Sequence, residues 1–195
     1  MKSVLIAGFD GLQPAQVTHE LMPNLATFAA EGVTFANHHA VFPTVTRLNA
    51  ASIATGRYPG GHGLAANTVV MRDFDPYRVL SALEPTLAEV ARKLPGRVLL
   101  APTLGDILGP YGREYIAVGV GTTGNAYLHN PNAERVGGAT IHPEFCLPYS
   151  LHDEITGRFG PWPEEALPNT ARYSRAVDIM TEYVLAERKP GVALL

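Results

Sequence analysis

The stretch "SVLIAGF" at residues 3–9 is an almost continuous apolar run, and Asp10 and Gly11 follow it directly. Apolar residues without alternation are typical of a strand buried on both faces, as in the parallel sheet of an α/β protein. Ligands of such sheets bind beyond the carboxyl ends of the strands. Asp10 therefore lies where a carboxylate could hold a divalent cation, although Asp-Gly is also a common turn sequence.

The rest of the chain alternates predicted helices and strands. Helices are predicted at 22–32, from 46 or 47 to about 55, at 86–94 and at 170–189, and strands at 33–42, 97–102 and 114–121. The last helix carries one apolar stripe, formed by Ala176, Ile179, Met180, Tyr183 and Val184. Residues 122–170 have weak periodicity and are expected to form loops and short elements over the carboxyl edge of the sheet. The pattern predicts a doubly wound, mostly parallel α/β sheet flanked by helices.

The chain closes on "GVALL", which has the pattern of a buried strand just beginning. We expect residues 1–195 to be the N-terminal part of a single larger domain, incomplete at its C-terminus. The alternative is a short terminal strand that pairs into the sheet.

Composition and charge limit the classes of function. Hydrophobic residues make up 46% and charged residues 17%, which is a globular composition, and the net charge of −3 gives no basic footprint for nucleic-acid polymers or membranes. A small anionic substrate remains compatible with that charge. No apolar stretch reaches the roughly 18 residues of a membrane span, and the N-terminal run is too short for a signal peptide, so a cytoplasmic location is expected. Cys146 is the one cysteine and is expected to be a buried structural thiol.

The segment "FPTVTRLNAASIATGRYPGGHGL", residues 42–64, places Thr46 at the start of a predicted helix. The N–H groups and dipole of a helix N-terminus favour anions, so a phosphoryl group attacked by Thr46 would be stabilised there. The alternative is structural, because threonine is a common N-cap and Thr44 or Thr46 could be that cap. Asn67 follows a tight turn, where its amide could donate to a phosphoryl oxygen or only form a local turn.

The remaining chemistry-bearing positions are less specific. The seven histidines show no metal-binding helix spacing, and His62 is expected to brace its turn. Residues 142–154, with two histidines and three acids, are the best local candidate for further metal or substrate contact, the alternative being a partly exposed loop. The glycines of "GVGTTG", 119–124, lack the Lys-Ser/Thr of a P-loop.

Four of these features, taken in their order along the chain, resemble the type I phosphodiesterase / nucleotide pyrophosphatase family of the alkaline phosphatase superfamily. They are "VLIAGFDGL", "FPTVTRLN", "TGRYPGGHG" and Asn67. The resemblance covers residues 3–70 and continues more weakly beyond. It implies an alkaline-phosphatase-like fold with two divalent metal ions, usually zinc, and Asp10 as a ligand of one of them. It also implies that Thr46 is the nucleophile, contacting the same metal region and forming a phospho-threonyl intermediate. Asn67 would donate to a non-bridging phosphoryl oxygen.

The sequence departs from the family in two ways. Members often carry Lys-Thr-Phe-Pro-Asn around the nucleophile, where this chain has Val45-Thr46-Arg47-Leu48-Asn49. That resembles phosphonoacetate-hydrolase-like branches about as well, and Arg47 could bind a second anionic group of the substrate or only cap and solvate the helix. The other metal ligands of the family, an Asp-x-x-x-His motif, an Asp-His pair and a late histidine, are expected beyond Leu195. These 195 residues alone are therefore expected to bind metal poorly and to be inactive.

Three functions remain after this comparison. The leading one is a metal-dependent hydrolase of phosphodiester or pyrophosphate bonds, and the second is a phosphonate hydrolase. A sulfatase is disfavoured because the Cys/Ser-x-Pro-x-Arg pattern is absent around Thr46. The third is a non-catalytic α/β binding module. The leaving group, the metal and the oligomeric state are not determined by the sequence.

Overall fold

The computed structural model describes residues 3–195, which divide into two compact units. The smaller unit, residues 8–40, contains a 3₁₀ turn at Pro14–Gln16 and helix α1 at Pro23–Glu31. The larger unit comprises residues 3–7 and 41–195. No helix within residues 3–195 has both the length and the apolar character needed to cross a bilayer.

A five-stranded sheet forms the centre of the larger unit. In spatial order its strands are β1 (Val4–Ile6), β7 (Val192–Leu194), β4 (Tyr115–Val118), β5 (Ala139–His142) and β6 (Phe145–Leu147). The first four strands run parallel, and β6 returns antiparallel to β5. A separate antiparallel pair joins β2 (Thr68–Val69) to β3 (Leu80–Ser81).

Helices of the larger unit connect and cover these strands. They are α2 (Thr46–Thr55), α3 (Pro59–His62), α4 (Glu84–Lys93), α5 (Leu104–Leu108) with a 3₁₀ turn at Gly109–Tyr111, α6 (Thr123–His129), α7 (Ala133–Val136), α8 (Leu151–Phe159) and α9 (Thr170–Asp178), which continues as a π-helix over Ile179–Arg188.

Two hydrophobic clusters lie on opposite faces of the sheet, as the alternating side chains of β6 show. Phe145 and Leu147 join a cluster that includes residues of α2, α4 and α6, whereas Cys146 between them joins a cluster formed with α8, α9 and the π-helix. Successive side chains of a strand point to opposite faces, so helices cover both faces of the mostly parallel sheet. The predicted doubly wound α/β class is confirmed.

The predicted helices are all present. α1, α2 and α4 fall on three of them, and the fourth is α9 with its π-helical continuation. The five residues of the predicted stripe in that last helix are all buried. The strands expected at 114–121 and in "GVALL" are β4 and β7.

Two predicted strands are wrong. Residues 33–42 form irregular backbone with a turn at 36–37, and residues 33–40 are exposed. Within the described chain no neighbouring strand pairs with this segment, so its β-prone composition did not produce a strand. Residues 97–102 form bends, and the N–H of Leu100 donates to the carbonyl of His62 (2.9 Å) at the end of α3 instead of joining the sheet.

One further expectation needs correction. β1 is an edge strand in which Val4 and Leu5 are each about half exposed, so the apolar run is not buried on both faces. Residues 122–170 contain short elements, as predicted: α6, α7, the β5–β6 hairpin and α8. These elements are three to nine residues long, which is too short for a clear hydrophobic period.

Candidate active site

Helix α2 begins at Thr46, the proposed nucleophile of the sequence motif. The N-cap position is Val45, with extended backbone angles (φ −124°, ψ 146°), so neither threonine of the pair occupies it. Thr44 instead donates from its hydroxyl to the carbonyl of Val41 (3.4 Å). The expectation that Thr44 or Thr46 is the N-cap is therefore wrong, and Thr46 is exposed in the first turn of the helix.

Asn49 fixes the backbone that leads into Thr46. Its Oδ1 accepts the N–H of Val41 (3.1 Å), and its Nδ2 donates to the carbonyl of Val45 (3.0 Å). The cis peptide between Phe42 and Pro43 lies within the segment that these two bonds close. Asn49 belongs to the "FPTVTRLN" motif, but the sequence alone gave it no role; the structure identifies it as the residue that positions the start of α2.

Arg47 links three separate segments of the site. Its Nε donates to Thr122 Oγ1 (3.3 Å) and its Nη1 to the main-chain carbonyl of Asn67 (3.4 Å), which also accepts the N–H of Ala82 (2.8 Å). Partial burial lowers the pKa of the Arg47 guanidinium. Arg47 therefore neither caps nor merely solvates the helix: it brings the backbone of Asn67 beside the start of α2, while the residue Asn67 itself is exposed.

The third segment is the turn between β4 and α6. Thr122 is the N-cap of α6 and accepts the N–H of Asn125 (3.4 Å), and the adjacent Thr123 accepts the N–H of Glu84 (3.3 Å). Because β4 ends at Val118, this turn lies at the carboxyl end of a parallel strand, where α/β sheets bind ligands. Thr46, Arg47, Asn67 and Thr122 thus form one cluster at this edge, which we call the α2 cluster.

His62 holds the end of α2 in place. Its ring is fully buried, Nδ1 accepts the N–H of Leu64 (3.2 Å), and Nε2 lies 3.0 Å from Ser52 Oγ. Since Nδ1 is an acceptor, Nε2 carries the proton and donates to Ser52, and burial lowers the pKa of the imidazole so that it stays neutral. A donating His62 cannot take a proton from Ser52, so the pair is a brace, as predicted, and not a nucleophile with its base.

Asp10 lies in the other compact unit. It is exposed in a turn where the N–H of Leu12 donates to the carbonyl of Phe9 (3.3 Å) and Gly11 adopts a positive φ of 77°. The backbone of Asp10 and Gly11 therefore forms a turn, which is the common structure of an Asp-Gly sequence. Asp10 belongs to the unit of residues 8–40, and Thr46 belongs to the larger unit.

Two residues of the segment 142–154 are not available as ligands. His142 ends β5 fully buried, with Nε2 donating to the carbonyl of Gly121 (2.9 Å) and Nδ1 accepting the N–H of Glu144 (3.2 Å). Cys146 is also buried, and burial raises the pKa of its thiol to about 11, so the expected structural cysteine is confirmed. The segment is not a loop throughout, because it contains the β5–β6 turn and the start of α8; further metal or substrate contact by its other polar residues stays a prediction.

No group of three or more His, Cys, Asp or Glu side chains in residues 3–195 is arranged to hold a metal ion. Protein-bound zinc takes three or four protein ligands. Asp10 and Thr46 supply two donors from two units, so the described residues do not form a complete metal centre by themselves.

Comparison with known proteins identifies relatives for most of the chain. Residues 4–151 match the family model described as "Type I phosphodiesterase / nucleotide pyrophosphatase". Bis(5'-adenosyl)-triphosphatase enpp4 of Xenopus laevis is 37% identical over 70 residues, which are 36% of this chain and 16% of that protein. The corresponding protein of Homo sapiens is 36% identical over 66 residues, 34% of this chain and 15% of that protein. The matched stretch thus spans about a sixth of these relatives.

The fold matches a solved structure over nearly the whole chain. Phosphonoacetate hydrolase from Sinorhizobium meliloti 1021, in complex with phosphonoacetate, superposes with a TM-score of 0.67 at 19% sequence identity. The match covers 99% of this chain and 45% of that chain. At this identity the match shows a shared fold.

Proposed function

The chain belongs to the type I phosphodiesterase / nucleotide pyrophosphatase family, and on that premise we propose that it takes part in hydrolysing phosphodiester or pyrophosphate bonds, with Thr46 as the nucleophile. The observation that carries this proposal is the position of Thr46 as an exposed first residue of α2. The N–H groups and positive dipole end of a helix attract a phosphoryl group to that place.

The proposed reaction has two steps. Thr46 Oγ forms a bond to phosphorus while the bond from phosphorus to the leaving oxygen breaks; the hydroxyl proton of Thr46 leaves with the departing alcohol or phosphate group, and a phospho-threonyl intermediate remains. Water then attacks the same phosphorus and the bond to Thr46 Oγ breaks; one proton of the water restores the hydroxyl of Thr46, and the remaining hydroxyl stays on phosphorus. Asn67 would donate from its amide to a non-bridging oxygen, and a donor placed where charge develops typically contributes about 10²–10³ in rate.

Metal dependence is part of this proposal and rests on the family. Asp10 and Thr46 are the ligands that the resemblance implies for two divalent ions, zinc in our proposal, and they do not complete a metal site by themselves. A bound divalent cation would favour the alkoxide form of a threonine hydroxyl.

The substrate class follows from the relatives. The name of the ENPP4 proteins specifies a bis(5'-adenosyl) triphosphate, so diadenosine triphosphate is the first substrate to test. A phosphonate is the second candidate, because the fold of phosphonoacetate hydrolase matches 99% of the chain. In both cases the substrate is a small anion, which a net charge of −3 does not exclude.

The test compares Thr46→Ala with Thr44→Ala in the complete gene product, supplied with zinc or manganese. Thr44 is the matched control because it is an exposed threonine of the same turn with one local hydrogen bond. Hydrolysis of diadenosine triphosphate, bis-p-nitrophenyl phosphate and phosphonoacetate is followed for each protein. We expect a loss of at least about 10³-fold for Thr46→Ala and a change of less than about threefold for Thr44→Ala, which removes one local hydrogen bond of an exposed side chain.

The outcomes separate the candidate functions. Activity only on phosphonoacetate supports the phosphonate hydrolase, and activity on the phosphate esters supports the diesterase. Thr46→Ala retaining wild-type activity would exclude Thr46 as the nucleophile. Wild-type protein that hydrolyses none of the substrates and retains no zinc after dialysis would favour the non-catalytic binding module. Removal of metal by a chelator should abolish activity reversibly if the family's metal dependence holds.

A further inference from the structure

His142 is the last residue of β5, and its imidazole ring is held firmly in the fold. The ring is fully buried, its Nδ1 accepts the N–H of Glu144 (3.2 Å), and it packs against Phe145 with 5.3 Å between the ring centroids. Burial lowers the pKa of the imidazole, so the ring stays neutral and Nε2 carries its proton. The position of the Nε2–H group is therefore set by the end of the sheet.

This N–H group donates to the turn between β4 and α6. It bonds to the carbonyl of Gly121 (2.9 Å), and two residues earlier the N–H of Gly119 donates to the carbonyl of Ile141 (3.0 Å). The end of β5 thus holds the turn by two hydrogen bonds, one from the main chain and one from a side chain. Only the bond from the side chain depends on which residue stands at position 142.

The turn that His142 holds leads directly into the α2 cluster. Thr122 follows Gly121, and its hydroxyl accepts from Arg47 Nε (3.3 Å). Arg47 Nη1 in turn donates to the carbonyl of Asn67 (3.4 Å). The place of the Gly121 carbonyl therefore affects the side chain of Arg47, and through it the backbone of Asn67.

The two bonds of the ring have different reach. An apolar side chain would fill the same space without burying two polar nitrogens, which are tolerated in a core only when they are hydrogen-bonded. The bond to Glu144 closes the short connection between β5 and β6 and is local. The bond to Gly121 joins residues that are 21 positions apart in the sequence. A role confined to the hairpin needs only Nδ1, so a wider role of His142 rests on Nε2.

We propose that His142 is a positioning residue of the candidate active site: through the carbonyl of Gly121 it fixes the turn that carries Thr122, and thereby Arg47 and the backbone of Asn67. It acts through these residues and not on the substrate. The assignment rests on the proposed function for its effect on catalysis, but the placement of the turn can be measured without any hydrolysis.

Two substitutions separate the two nitrogens of His142. The amide of glutamine reaches as far as Nε2, so His142→Gln keeps a donor to Gly121 but loses the acceptor for the N–H of Glu144. The amide of asparagine lies at the place of Nδ1, so His142→Asn keeps the acceptor for Glu144 but removes the donor to Gly121. Each variant buries the same chemical group and loses one hydrogen bond, so each is the matched control of the other.

Residue-resolved hydrogen exchange of the complete gene product measures how firmly the turn is held. The N–H groups of Gly119 and Asn125 lie on either side of Gly121, and each is hydrogen-bonded. We expect both to exchange about tenfold faster in His142→Asn than in His142→Gln, because the turn then opens with one bond fewer to break. The N–H of Leu94, bonded at the end of α4 (2.7 Å), should exchange alike in both variants. Equal exchange at the turn, or faster exchange in His142→Gln, would overturn the assignment.

Steady-state kinetics on diadenosine triphosphate and phosphonoacetate measure the effect on the chemistry. His142→Asn should lower kcat by about tenfold or more and leave KM within about threefold, because a small displacement of a positioned group slows the reaction without removing a binding contact. His142→Gln should restore most of that loss. In the Arg47→Met background the two variants should differ by less than about threefold, because Arg47 carries the effect. A histidine with only a structural role would change the urea unfolding midpoint and leave the kcat of the folded protein unchanged in both variants.

The two readouts distinguish this assignment from the hydrolytic proposal. Faster exchange in His142→Asn together with an unchanged kcat would overturn His142 as a positioning residue for the reaction. Faster exchange in a protein that hydrolyses neither substrate would keep His142 as the residue that positions the α2 cluster and would overturn the proposed hydrolysis. Hydrolysis by the wild type with equal exchange in the two variants would do the reverse.

Discussion

The guanidinium of Arg47 donates to two segments that are far apart in sequence, the turn before α6 and the backbone at Asn67. A planar guanidinium presents several donors in a fixed geometry, whereas the ammonium of lysine is a single compact charge. Because Arg47 directly follows Thr46 in α2, we expect it to affect the proposed chemistry through the position of Asn67. A displacement of about 1 Å in such a group can cost about 10²-fold in rate.

Arg47→Met and Arg47→Lys separate positioning from substrate binding. If Arg47 positions Asn67, both variants should lower kcat by about 10–100-fold and leave KM within about threefold, because neither side chain can make both bonds. If Arg47 instead binds an anionic group of the substrate, Arg47→Met should raise KM and Arg47→Lys should restore much of the loss. Steady-state kinetics on diadenosine triphosphate measure the split, and a KM effect rescued by lysine would contradict the positioning role.

At this scale the sequence predicts some residues of the α2 cluster and not others. Thr46, Arg47 and Asn67 lie in a short motif whose order is visible in the printed sequence. Thr122 is 75 residues from Arg47, and its part in the cluster depends on β4 ending where it does. Asn49 was visible in the motif, but its two bonds to the preceding turn depend on a backbone path that no local pattern specifies.

The start of α6 packs unusually closely against the segment that precedes α4. A Cβ on Gly124 would lie 1.8 Å from the carbonyl oxygen of Ala82 and 3.1 Å from the Cα of Leu83. The same segment is joined to Asn67 through the N–H of Ala82. "GVGTTG" lacks the Lys-Ser/Thr of a P-loop, and Gly124 is required because backbone meets backbone there.

Gly124→Ala should therefore lower the free energy of unfolding by about 3 kcal/mol or more, since overpacking against backbone typically costs 1–3 kcal/mol and this contact is very short. Gly157→Ala is the matched control: it is also a glycine in a helix, with open space at its Cβ. That change should stabilise the protein by about 0.5–1 kcal/mol through helix propensity. Urea unfolding of the three proteins measures both effects, and equal stabilities for the two variants would contradict the close approach.

The helix predictions were correct where the hydrophobic period extends over several turns. The strand predictions were wrong where hydrogen-bonded pairing with another strand decided the structure. The last helix shows its stripe over several turns, and all five of its predicted residues are buried. Residues 33–42 and 97–102 have strand-like composition, but a strand forms only with a hydrogen-bonding neighbour, and Leu100 bonds to His62 instead. Short elements were predicted after residue 122, but their types and bounds were not, because each is too short to show a clear hydrophobic period.

Across the whole molecule, several histidines are held neutral inside the fold. His62 and His142 are fully buried, and burial lowers the pKa of each ring. The hydrogen bond from His142 to Gly121 raises the pKa of His142, but the effect of burial is larger. His129, at the end of α6, is nearly fully buried, and no hydrogen bond to its Nδ1 is present within the described chain. Burial lowers the pKa of His129 to about 4.

Because these histidines are buried with lowered pKa values, we predict that the fold loses stability on mild acidification. Between about pH 6.5, where an unfolded histidine titrates, and about pH 4, where folded His129 does, the unfolded state binds more protons than the native state. The free energy of unfolding therefore falls as the pH falls through this window. For His129 alone the loss between about pH 7.5 and pH 5 is about 2 kcal/mol, and His62 and His142 add to it with the same sign.

His129→Gln tests this assignment, because glutamine has no charge in the window and approximates the size of the ring. The variant is expected to be less stable than the wild type at neutral pH, since it buries an amide, but its stability should fall less steeply on acidification, by about 2 kcal/mol over the same interval. Urea unfolding midpoints at the two pH values measure the slopes of the variant and the wild type. Stability depends on pH through the difference in protons bound by the unfolded and the native state, so an unchanged slope in His129→Gln would mean that His129 binds its proton equally well in both states and would contradict the assignment.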